Sequence, residues 1–142
     1  RPRYLPGSII EGSALHNVFL ADGCRIRRAE IRDSIIGLRS QIASGARIRD
    51  SILMGADYYE AADDSQEGIR LGIGEECDVQ GAILDKNVRL GSGVVIRPFP
   101  RGTEIDHEDW VVRDGIVVIP KNTGLPGGTY IGPRPDENEE AD

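Results

Sequence analysis

The chain has 142 residues, a formal net charge of −7 and only 5% aromatic residues, while Ile, Val, Leu and Gly recur throughout. That length suits one domain, and a core of small aliphatics implies thin, regular layers. The acidic balance excludes a nucleic-acid partner, which needs a concentrated basic surface, and no stretch approaches the roughly 20 apolar residues of a membrane-crossing helix.

The chain opens with "RPRYLPGS", residues 1–8. It lacks the shape of a signal peptide and reads as an interdomain linker remnant of a longer chain. A beat of aliphatic residues then begins. Leu20, Ile26, Ile31, Ile36, Ile42, Ile48 and Leu53 follow one another at five or six residues. Neither helical spacing nor strict alternation fits this pattern. It predicts an all-β fold, a parallel β-helix built from hexapeptide repeats. With the aliphatic as position one, position four is Gly23, Gly45, Gly93, Gly128 or Asn87, residue types that reach positive φ cheaply. Position five is Cys24, Ser40, Ala46, Cys77, Val88 or Val94, modest side chains that should also point inward. Five-residue steps, as from Ile26 to Ile31 and Ile48 to Leu53, shorten some corners.

A longer repeat lies over the short one. "DSIIG" at 33–37 returns as "DSILMG" at 50–55, and "GAILD" at 81–85 matches again thirty-one residues on, seventeen plus an insertion of fourteen. A first excursion is therefore expected over about residues 55–72. The beat resumes at Ile73, Val79, Leu84, Leu90 and Ile96. A second excursion is expected over about 98–118, where "DWVVRDGIVVI" reads as two short strands around an Asp-Gly turn. The beat ends on Ile119, Leu125 and Ile131. About five coils are expected over residues 9–132, and residues 133–142 read as an acidic, disordered tail.

Few residues suggest chemistry. His16 would serve a hexapeptide-repeat acyltransferase as general base. Two histidines, His16 and His107, cannot supply the three zinc ligands seen between subunits in other such proteins, so no metal site is expected. Cys24 and Cys77 share one repeat slot, which favours buried structural thiols in a reducing, cytoplasmic setting. Asp57, Glu60, Asp63 and Asp64 form an acidic cluster without an evident basic partner and read as a solvated loop. The cations Arg1, Arg3, Arg97, Arg101 and Lys121 would form an anion site if the fold brought them together. No phosphate-binding glycine loop is present.

Several motifs carry a family resemblance. "RPRYLPGS", G-L-R-S at 37–40, M-G-A-D-Y-Y-E at 54–60, D-K-N-V-R-L-G at 85–91 and "DGIVVIPKNTGLPGGT" together resemble the C-terminal domain of the glucose-1-phosphate adenylyltransferases, from Arg1 to about Ile131. The resemblance implies a left-handed β-helix behind an N-terminal catalytic domain that converts ATP and glucose 1-phosphate to ADP-glucose and pyrophosphate with Mg²⁺. It also implies that this fragment holds no cofactor and is inactive alone. Regulatory and oligomerisation roles follow, with the chain's own catalytic domain, a homotetramer and phosphorylated-metabolite effectors as partners. Arg1, Arg3 and Lys121 match anion-contacting positions of the family. A second activator lysine of plant and cyanobacterial members is replaced in "IRPFPRG", where Phe99 stands at its place and Arg97 and Arg101 are the neighbouring cations.

Overall fold

The computed structural model describes residues 5–60 and 68–134; Arg1, Arg3, Asp63, Asp64 and residues 135–142 lie outside them. Among the described residues no helix occurs, so none is long and apolar enough to cross a membrane. The chain winds as a parallel β-helix. Its first turn holds β1 (Ile9–Glu11) and β2 (Ala14–Leu20), its second β3 (Arg25–Arg27) and β4 (Glu30–Ile36). The third has β5 (Gln41–Ile42), β6 (Arg47–Arg49) and β7 (Ile52–Leu53). After the first excursion come β8 (Gly72–Ile73), β9 (Asp78–Gln80) and β10 (Ala82–Leu84), then β11 (Arg89–Leu90) and β12 (Val95–Ile96). A hairpin of β13 (Ile105–Asp106), β14 (Val111–Arg113) and β15 (Ile116–Ile119) precedes β16 (Gly124–Leu125) and β17 (Tyr130–Ile131).

Strand pairing defines three faces. The first stacks β1, β3, β5, β8, β11 and β16. The second stacks the first halves of β2 and β4 with β6, β9, β12 and β17. The third stacks the second halves of β2 and β4 with β7, β10 and β15. Each face has one inward column. Ile26, Ile42, Ile73, Leu90 and Leu125 align on the first. Ile31, Ile48, Val79, Ile96 and Ile131 align on the second, and Leu20, Ile36, Leu53, Leu84 and Ile119 on the third. These are the beat residues read from the sequence, and all except half-buried Leu20 are buried. Position five is buried as well, from Cys24 to Val94.

Corner geometry follows the step length. Every six-residue step places a positive-φ residue at position four: Gly23, Arg39, Gly45, Glu76, Asn87, Gly93, Asn122 or Gly128. Every five-residue step places one at position three: Gly12, Asn17, Arg28, Asp33, Asp50 or Gly81. A single left-handed residue thus turns each of these corners. The expectation of Gly and Asn alone is corrected by Arg28, Arg39 and Glu76, which accept φ near +50° to +60° because rung pairing on both sides fixes the backbone.

The repeated Asp-Ser has its own physical basis. Asp33 and Asp50 take the left-handed corner, and the next residue bridges rungs. The Ser51 amide donates to Ser34 Oγ (3.2 Å), and the Ala82 amide donates to Ser51 Oγ (3.3 Å). Each hydroxyl donates in turn to a carbonyl of its own rung, Arg32 O at 2.7 Å and Arg49 O at 2.8 Å. Buried hydroxyls are thereby satisfied in both roles.

Both excursions leave at corners. Met54 and Ala56 amides still donate to Leu84 O and Leu38 O at 2.8 Å, so departure begins at Asp57. Gly55 has φ +90°, and a Cβ there would collide with the backbone of Gly37 and Leu38. The second excursion contains the expected turn: Asp114 and Gly115, both at positive φ, join β14 to β15. Its end is corrected, because β15 pairs in parallel with β10 and so belongs to the third face. The coil resumes at Ile116 and not near residue 118.

Ile48 is fully buried between Ile31 and Val79. Ile48→Ala is expected to lower unfolding free energy by about 2–5 kcal/mol, read as a shift of the urea midpoint at an unchanged slope.

Candidate functional site

The edge between the third and first faces carries a repeated dipeptide. Lys86-Asn87 and Lys121-Asn122 turn the same corner in successive rungs, with both asparagines left-handed. The Asn122 amide donates to Lys86 O (3.0 Å), and Asn87 Nδ2 donates to Asn122 Oδ1 (3.2 Å). The two lysines therefore project side by side. Between them sits Asp57, the first residue of the excursion. Lys86 Nζ is 3.3 Å from Asp57 Oδ1 and Lys121 Nζ 3.8 Å from Oδ2. Asn87 clamps the same residue, accepting from its amide (2.9 Å) and donating to its carboxylate (3.0 Å). The Asn87 hydrogen bond, with the lysine charges, holds the Asp57 carboxyl below the usual carboxylate range. All three charged side chains remain about half exposed.

Behind this clamp lies a buried latch. Glu60 pairs with Arg89 of β11, and their side chains are only 4% and 7% exposed. The Leu71 amide donates to Glu60 Oε1 (2.9 Å), and Arg89 donates to Ile69 O (2.9 Å), tying both ends of the excursion to one pair. Burial opposes the Arg89 charge, but Glu60 and Tyr58 outweigh it and raise the guanidinium above its ordinary value. Tyr59 donates to Gly23 O (2.8 Å), and Arg25 lies 4.4 Å above its ring. The reading of Asp57 and Glu60 as a solvated cluster is thus corrected. Their cationic partners, Lys86, Arg89 and Lys121, come from later rungs that sequence proximity does not reveal.

The remaining predicted residues are dispersed. Arg97 follows β12 at the opposite edge of the third face from Lys121. It donates to Asp78 Oδ2 (2.8 Å) and Asp78 O (3.2 Å). Arg49 stands 3.5 Å from the other carboxylate oxygen. Burial would raise the Asp78 carboxyl, but the Arg97 hydrogen bond and the charges of Arg97, Arg49 and Arg47 hold it low. Arg101 is exposed in the turn before Thr103. Phe99 packs on Trp110, which stacks on His107 at 4.5 Å. The fold therefore does not gather Arg97, Arg101 and Lys121 at one point. Sequence reasoning missed Lys86, although the recurrent Lys-Asn pair was its available signal.

His16 is exposed on β2 beside Arg32 of β4, and among the described residues no hydrogen bond orients its ring. Cys24 and Cys77 are buried free thiols whose pKa burial raises, a poor state for nucleophiles. No metal-binding cluster occurs among the described residues.

Comparison with known proteins adds three findings. The family model described as the GLGC left-handed parallel beta-helix domain matches residues 3–130. The chain is 38% identical over 138 residues to the glucose-1-phosphate adenylyltransferase small subunit, chloroplastic/amyloplastic, of Triticum aestivum, covering 92% of this chain and 29% of that protein. It is 36% identical over 137 residues to large subunit 1 of Zea mays, covering 92% of this chain and 27% of that protein. The chain thus spans less than a third of these relatives.

Two outcomes are expected from the charge pairs. Glu60→Ala leaves Arg89 buried without its partner and should cost about 3–5 kcal/mol, whereas Glu60→Gln, which keeps an acceptor, should cost less; equilibrium denaturation separates them. For Asp78, a depressed folded-state carboxyl contributes stability that is complete above the ordinary value of 3.8 and is lost as pH falls through the folded value. Melting temperatures below that value should therefore fall less steeply with acidification in Asp78→Asn than in the unmodified chain.

Proposed function

The chain belongs to the GLGC left-handed parallel β-helix domain family, and from that premise we propose that it is the regulatory and assembly domain of a glucose-1-phosphate adenylyltransferase. The parent enzyme would convert ATP and glucose 1-phosphate to ADP-glucose and pyrophosphate, feeding glycogen or starch synthesis. Nucleotide and Mg²⁺ would be held by a catalytic domain outside this chain, so the domain alone turns over nothing. In the whole enzyme it would sit in a tetramer. The buried, unpaired thiols fit a reducing compartment.

The observation that carries the regulatory reading is the half-exposed Lys86–Asp57–Lys121 clamp. Two parallel ammonium groups neutralised by one exposed carboxylate form a replaceable ion pair. A phosphorylated metabolite presents more charge and more acceptor oxygens than Asp57 does. Its binding would free Asp57 and the start of the excursion, while the buried Glu60–Arg89 pair holds the rest. Arg1 and Arg3 would complete the site from the linker, and Arg97 and Arg101 would serve a separate edge. Regulation is then linkage: an anion that favours one arrangement of clamp and catalytic domain changes substrate binding by the same factor that substrate changes its own binding.

In the full-length enzyme, Lys121→Ala removes one charge-assisted contact worth about 1.5–3 kcal/mol. The effector concentration for half activation should rise by roughly ten-fold or more, with unactivated turnover nearly unchanged. Equal loss of both in steady-state kinetics sinks the effector assignment.

A further inference from the structure

The third face carries an outward row that the inward columns do not explain. Phe19, Ile35, Ile52, Ile83, Val118 and Val111 stand opposite one another in consecutive strands of one sheet. Phe19 is 74% exposed, Ile35 47% and Ile52 39%. Ile83, Val118 and Val111 are half-buried. No charged residue interrupts the row until Asp106, which pairs with Val111 from β13. Six strands at about 4.8 Å spacing make an apolar ridge roughly 24 Å long. Isolated exposed aliphatics need no explanation, but a contiguous ridge across every rung of a face marks a docking surface.

The ridge also has a direction. Its side chains shrink from Phe through three Ile to two Val. Laid against its own reverse, the large end of one copy meets the small end of the other, so the combined thickness stays even. Phe19 faces Val111, Ile35 faces Val118, and Ile52 faces Ile83 across a two-fold axis. The edge charges agree: this packing sets Asp50 of one copy opposite Gly81 of the other, not opposite a second aspartate. A flat, uncharged and self-complementary strip is what an isologous dimer requires.

We propose that the third face is the contact between two copies of this chain, packed ridge on ridge with their helix axes antiparallel. This deepens the assembly half of the reading above by naming its surface and rests on that half alone; the effector clamp is not involved.

Analytical ultracentrifugation of the 15.5 kDa chain should show a species of twice that mass. Ile52→Arg should return it to monomer while retaining the circular dichroism and melt of a folded β-helix. Cross-linking tests the geometry without introducing charge. A mixture of Phe19→Cys and Val111→Cys chains should form a disulfide heterodimer. Phe19→Cys alone should not cross-link, because its two copies lie a full ridge apart. The native cysteines are buried and do not compete. A chain that stays monomeric up to roughly 200 µM, a dimer that survives Ile52→Arg, or cross-linking of Phe19→Cys with itself each overturns the proposal. Protection of the ridge only in a longer protein that contains the remaining domain would assign the face to another occupant and overturn it equally. Loss of effector response with an intact dimer would instead fault the clamp and leave this surface standing.

Discussion

The parallel hydrogen-bond ladder from rung to rung sets the rest of this structure. Every buried amide and carbonyl of a rung must find its partner in the next. The chain can therefore turn only where it returns to the same register. Five- and six-residue steps meet this condition because each carries one left-handed residue, at position three or four respectively. The inward column follows: a strand of two or three residues has one inward position, and that position must be aliphatic to fill a core without aromatics.

The same constraint explains where variation is tolerated. Leu53 and Leu84 stack directly although thirty-one residues separate them. The first excursion costs the ladder nothing, since both of its ends rejoin a corner already in register. It does need to be tied down. One buried ion pair, Glu60–Arg89, does this at both ends of the loop, whereas the exposed Asp57 clamp fastens only its start. The contrast matters for function. A buried pair cannot exchange partners without uncovering charge, but an exposed carboxylate between two lysines can be displaced by another anion.

The faces and edges divide the labour. The edges hold the left-handed corners, the excursions and the lysine clamp. The third face is flat and apolar across its whole length. A domain built this way can bind an anion at an edge and a second copy on a face without either surface intruding on the other.

The aliphatic columns, their corners and the Asp-Gly hairpin turn were legible in the amino-acid sequence. They depend on local sterics, on which residue takes positive φ and which side chain fits inward, and those preferences repeat every rung. The motifs also identified the family. Three things were not legible. "SII", "SIL" and "AIL" read as plain hydrophobic runs, and only the strand register decides that Ile35, Ile52 and Ile83 face outward while their neighbours face in. Glu60 and Arg89 lie twenty-nine residues apart, so their pairing depends on how the rungs stack. Lys121 was read from its motif, but its partner Lys86 and their shared Asp57 come from three separate rungs. Sequence by itself determined the repeating unit, because local sterics repeat with it. Only the tertiary structure decided which charges and which outward side chains meet, because stacking joins residues that no local preference connects.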